Sequence, residues 1–108
     1  MGSVSSNSTT RAKLQNQAGT DLIVTVGKTL YIGYVTYTMS VAGGLVYIMY
    51  DNDGAGTGEV IVCKLPAIGA QAPITLPIVA AIPSGKYVTV KVGASGETVY
   101  FFCEGFER

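Results

Sequence analysis

From residue 21 onward, no stretch of this chain carries apolar residues at helical spacing long enough for a convincing helix. β-Branched and aromatic runs recur instead, each closed by Gly, Pro, Asn, Asp or Ser, and that pattern confines the fold to the all-β class. The spacing predicts strands over 22–26, 30–39, 45–50, 59–65, 74–82, 86–92 and 98–103. Within 30–39, Leu30, Ile32 and Tyr34 alternate with Tyr31, Val35 and Tyr37, with Thr36 and Thr38 interleaved. Ala42-Gly43-Gly44, the Asp/Asn/Gly loop over 51–58, Pro83-Ser84-Gly85 and Ala94-Ser95-Gly96 supply the turn chemistry between runs. Pro66, Gly69, Pro73 and Pro77 exclude a long helix in the second half, and Pro77 marks 74–82 as an edge or extended strand. Seven or eight short strands of this kind indicate one antiparallel β-sandwich or jelly-roll-like domain over 21–108.

A weak internal repeat fits two similar halves. Tyr34-Val35-Thr36 recurs as Tyr87-Val88-Thr89, Val46-Tyr47 as Val99-Tyr100, and Gly43 as Gly96, all at one offset. Both copies read as long hairpins with a small-residue turn.

Residues 1–20 differ in kind. They are rich in Ser, Thr, Asn and Gln, with Val4 and Leu14 their only large aliphatics. Such a segment buries too little apolar area to offset its ordering entropy, so it is expected to be an extended N-terminal arm that orders against a partner. Its start matches the M-G-x-x-x-S/T myristoylation pattern through Met1-Gly2-Ser3-Val4-Ser5-Ser6, a short and unspecific match. It lacks the apolar core of a signal peptide, and no run approaches the length needed to span a bilayer. Intracellular synthesis and no membrane partner are expected.

Composition narrows function mainly by exclusion. Seven basic and seven acidic residues cancel, and the Lys residues are scattered singly, so no nucleic-acid partner is expected. His is absent, which removes the usual catalytic triads, the commonest metal ligand and the neutral-pH proton shuttle. Asp51-x-Asp53 with Gly56 imitates the start of an EF-hand loop. Ala55 and Val62, however, stand where ligands should be, and an Asp/Asn/Gly hairpin loop explains the residues better. The same stretch lacks the Lys and helix of a phosphate-binding loop. No catalytic residue, cofactor or metal is expected, and the chain reads as a non-enzyme. Cys63 and Cys103 read as two buried strand residues in a reducing compartment; a disulfide between their strands is the alternative.

The tyrosines carry the positive signal. Seven of them fall on predicted strands at both alternation parities, so some must leave a single core. The runs 30–39 and 45–50 are apolar or aromatic on both faces, whereas a small antiparallel domain normally wets one face. A second apolar face suggests cover by another subunit. The candidate partner-facing residues are Val4 and Leu14 on the arm, and Tyr31, Tyr37, Tyr47, Met49, Tyr100 and Phe102 on the strands. A wet Tyr/Thr surface and a sugar-binding platform of tyrosines are the competing readings.

The stretch from Thr29 to Phe102 resembles small structural proteins of tailed bacteriophages. The resemblance lies in Leu30-Tyr31-Ile32-Gly33-Tyr34-Val35-Thr36, a small-residue turn, Val46-Tyr47-Ile48-Met49-Tyr50-Asp51 and a Gly/Thr loop. It continues through Ile74-Thr75-Leu76-Pro77 and Ile82-Pro83-Ser84-Gly85-Lys86-Tyr87-Val88-Thr89-Val90 to a closing strand. It is a pattern of strands and turns over about two-thirds of the chain, without a diagnostic motif. It implies a virion structural protein: a self-associating capsid decoration or cement protein, as a homotrimer on the major capsid protein lattice at the virion surface. A tail-fibre or spike head that binds a receptor or glycan is the alternative it also implies.

Overall fold

The computed structural model describes residues 2–5, 11–15, 20–39, 44–68, 72–93 and 98–108. Eight strands follow in chain order: β1 (Gly2–Ser5), β2 (Arg11–Lys13), β3 (Leu30–Met39), β4 (Val46–Asp51), β5 (Val60–Leu65), β6 (Ile74–Ile82), β7 (Tyr87–Val92) and β8 (Thr98–Glu107). They form two four-stranded antiparallel sheets, one in the order β1-β8-β3-β6 and the other β2-β7-β4-β5. Val35, Tyr37, Val99 and Phe101 from the first and Val46, Ile48, Val88, Val90 and Val92 from the second share one hydrophobic core, the arrangement of a sandwich. No helix is present among the described residues, and so none long and apolar enough to cross a membrane.

Alternation explains which side chains go inside, with one interruption. On β3 the inward residues are Leu30 and Ile32, then Val35, Tyr37 and Met39. The phase flips at Gly33, where the register shifts against both neighbours. Ile32 pairs with Gly105 and Tyr34 with Glu104, so β3 carries one more residue than β8 at that point. The sequence alternation, which grouped Tyr34 with Leu30 and Ile32, is therefore corrected: Tyr31 and Tyr34 both point outward, three positions apart. Gly105 makes room for the kink, because a Cβ there would stand 2.1 Å from the Tyr31 carbonyl oxygen.

The two halves of the repeat are not hairpins. β3 and β4 lie in different sheets, as do β7 and β8. The repeat survives in another form: β3 pairs with β8 and β7 with β4, so matching strands occupy matching places in opposite sheets. Among the described strands, β4 and β5 are the only consecutive pair to hydrogen-bond to each other. Their loop holds Gly54, Gly56 and Gly58, all at positive φ. The turns expected at Ala42-Gly43 and at Ala94-Ser95-Gly96 lie outside the described residues.

The segment 1–20 does not extend away from the sandwich where it is described. Gly2–Ser5 pairs with β8 and Arg11–Lys13 with β7, each at a sheet edge. The amide of Leu14 donates to the Val88 carbonyl at 2.9 Å, and its side chain is buried in the core. Backbone pairing needs no apolar pattern, which is why composition alone did not reveal these strands. The expected strand at 22–26 is instead a coil that borrows β7's end: Val24 donates to Lys86, and Val88 donates to Leu22.

Candidate binding surface

The outward side of the β1-β8-β3-β6 sheet is built on the register of β3, β6 and β8. Tyr31 stands opposite Phe106 and Ala81, Tyr34 opposite Glu104 and Pro77, Thr36 opposite Phe102 and Thr75, and Thr38 opposite Tyr100. Two ends result, with different chemistry.

At one end the Tyr31 and Phe106 rings stack with centroids 5.5 Å apart, and on β6, between the partners of Tyr31 and Tyr34, Val79 is 97% exposed. Phe106 itself is 58% exposed. This end is dry chemistry set in water.

At the other end small residues on the central strand lie between large ones. Thr36 and Thr75 form the floor, their hydroxyls hydrogen-bonded to each other at 2.9 Å. Tyr34, Phe102 and Glu104 rise around it and enclose a depression of about 300 Å³. A second depression of about 260 Å³ adjoins it and shares Thr36 and Phe102, with Thr38, Pro73 and Tyr100 along its side. Together they make one trough, with the Thr36–Thr75 pair under the first depression and an almost wholly apolar lining in the second. No ion pair to Glu104 is present among the described residues.

The outward side of the other sheet is organised differently. Lys13 forms an ion pair with Asp21 at 3.0 Å and lies 5.9 Å from the centre of the Tyr87 ring. Hydrogen bonds from Gln15 and Lys13 hold the Asp21 carboxyl below the usual carboxylate range, and the bond to Asp21 raises the Lys13 ammonium. The loop after β4 folds on its own carboxylates. Asp51, fully buried, accepts from the Gly54 and Gly56 amides at 2.6 and 2.9 Å. Asp53 accepts from the Thr57 hydroxyl and the Ala55 amide, which lower its pKa. Among the described residues no group of three or more Cys, Asp or Glu side chains is placed to hold a metal ion.

Of the residues expected to face a partner, Tyr31, Tyr100 and Phe102 are exposed on the aromatic face, and Tyr47 is half-buried on the other. Leu14, Tyr37 and Met49 are corrected: each is fully buried within the chain. Tyr37 points inward because of the phase flip at Gly33, and its hydroxyl donates to the Pro66 carbonyl at 2.7 Å. The backbone of Val4 pairs with Val99; its side chain lies outside the described residues. Sequence reasoning missed Tyr34, Phe106, Val79 and Glu104. The missing signal for Tyr34 was the glycine before it. Both cysteines are free, Cys103 buried on β8 and Cys63 half-buried on β5 in the opposite sheet. Burial pushes the Cys103 thiol up to about 11. No family model, curated protein or solved structure matches the chain.

Proposed function

We propose that this chain is a non-enzymatic virion structural protein, a capsid decoration or cement protein that self-associates as a trimer and stabilises the shell at the virion surface. The observation that carries the reading is the dry end of the aromatic face, where Tyr31, Phe106 and Val79 stand exposed together. Isolated apolar side chains need no explanation, but a cluster on one sheet face favours burial against another subunit. Binding only the assembled lattice would stabilise it by mass action.

The strand order supports reading the fold more finely as a jelly roll. Strands 1, 8, 3 and 6 in one sheet and 2, 7, 4 and 5 in the other move the chain between sheets at every step but β4 to β5, the eight-stranded architecture used in capsid and lectin domains. In the same reading the arm, residues 1–20, docks on the capsid lattice. β1 and β2 are edge strands, so their outer sides are open to backbone pairing with a partner strand.

Sedimentation velocity of the purified chain tests the reading, with co-pelleting on assembled shells of a tailed-phage major capsid protein. A trimer that binds shells is expected, and Phe106→Asp with Val79→Asp should leave a folded monomer. A chain that stays monomeric at high concentration and ignores shells would overturn it. A fibre or spike head that contacts a receptor or glycan is the second reading, supported by the threonine-floored trough beside the dry end.

A further inference from the structure

We infer that the trough between Tyr34, Tyr100, Phe102 and Glu104 binds a neutral sugar ring, the trough lying about five residues along β3 from the dry end assigned to assembly. The inference does not depend on the assembly reading.

Three observations choose the ligand. The walls are aromatic side chains, Tyr34, Tyr100 and Phe102, and an aromatic ring can receive the C–H face of a pyranose. The larger depression offers hydroxyls as well as rings: Thr36 and Thr75 share one hydrogen bond, and each oxygen keeps acceptor capacity for a ligand hydroxyl. A rim carboxylate, Glu104, can accept from two adjacent hydroxyls, a charge-assisted contact stronger than a neutral one. Among the described residues no Lys or Arg lines either depression, so an acidic sugar would meet Glu104 with no described cation to offset the repulsion. A purely apolar occupant would leave the floor hydroxyls and the carboxylate without their water. The two depressions adjoin through Thr36 and Phe102, so a second sugar unit could continue along the trough past Tyr100. Each volume sits near the lower end of the roughly 300–1,000 Å³ of small-ligand sites, which suits one ring apiece.

The experiment is a glycan array probed with the intact chain, followed by calorimetry with the best neutral hit and with maltohexaose, cellohexaose and chitohexaose. Saturable binding of a neutral glycan is expected. Phe102→Ala and Glu104→Gln should each weaken it by roughly tenfold, by loss of stacking and of the charged acceptor. Thr36→Tyr, which fills the floor, should abolish it, and Lys64→Ala on the other sheet should leave it unchanged. Circular dichroism and thermal melts establish that each variant is folded. No saturable binding on the array or by calorimetry overturns the proposal, as does binding indifferent to Phe102→Ala and Glu104→Gln, or a preference for sialylated or sulfated glycans. A change in sedimentation caused by Phe102→Ala also overturns it, since the trough would then be occupied by a second copy. Sugar binding without trimers, or trimers without sugar binding, separates this inference from the assembly reading.

Discussion

On β3 and β8 the outward positions go to Tyr31, Tyr34, Tyr100, Phe102 and Phe106, all exposed; on β4 and β7 they go to Tyr47, Met49, Tyr87, Thr89 and Lys91, none of them exposed. The internal repeat sharpens the contrast. Tyr34 and Tyr100 are exposed, whereas their counterparts Tyr87 and Tyr47 are half-buried. The side chain of Lys13 packs against Gly54 and near the Tyr87 ring, so the N-terminal segment and the loop after β4 cover part of this face, while Ile61 on β5 stays exposed. Similar strands thus acquire different roles from what is laid over them. A face covered by its own chain serves stability, and a face left open is available for partners.

The contrast can be broken from either sheet. The largest effect is expected from Gly105→Ala, whose Cβ would collide with the backbone of Tyr31 and Ile32 at the kink that turns the aromatic face outward. A loss of about 3 kcal/mol or more, or failure to fold, should appear in urea denaturation. On the covered sheet, Asp51→Ala strands the Gly54 and Gly56 amides and should cost about 2–3 kcal/mol by the same measurement.

Cys103, on the inner side of the open sheet, gives a pH test. Burial raises its folded pKa to about 11 from an ordinary value of 9.0, so the folded state holds the thiol proton more tightly than the unfolded chain. The associated stability is complete below pH 9 and drains as pH rises toward 11, by roughly 2 kcal/mol. Urea midpoints between pH 8 and pH 10.5 should fall less steeply in Cys103→Val. Thr89→Val should act in the opposite direction to most core changes. The Thr89 hydroxyl is fully buried with no hydrogen-bond partner among the described residues, and replacing it with a methyl should stabilise by about 1 kcal/mol in thermal or urea melts.

The smallest effect belongs to the exposed carboxylates of the covered sheet. Asp53 and Asp21 have lowered pKa values, through the Thr57 hydroxyl and the Gln15 amide first, so their contribution is present above the ordinary carboxylate range and lost as pH falls through it. Asp53→Asn should blunt the decline of the melting temperature between pH 5 and pH 3.

The six long strands were legible in the sequence, because β-branched runs and turn residues mark each one locally. The bounds of β3 and β6 coincide with the spacing, and β8 runs four residues past Cys103 because Gly105 and Phe106 still pair with β3. β1 and β2 were not legible, since edge pairing draws on backbone groups that Ser, Asn and Lys carry as well as Val does. The aromatic face was half legible. Tyr31, Tyr100 and Phe102 followed from composition and alternation, but Tyr37 was assigned outward and Met49, outward on β4, is covered by its own chain. A one-residue register shift at Gly33 reverses every later side chain on β3, and single-strand periodicity does not contain it. The trough needed three strands in register, and its threonine floor has no signature within any one of them.

The pairing of Gly2 with Phe101 has a consequence in time. Emerging from a ribosome, β1 has no partner until β8 is nearly complete, and among the described strands β4 and β5 alone pair as consecutive neighbours. Until then β1 and the flank of β8 are both unclaimed. A neighbouring chain synthesised close by can offer either of them the pairing that its own chain supplies only at the end. The moment of assembly, and not only its energy, is set by where the first strand finds its place.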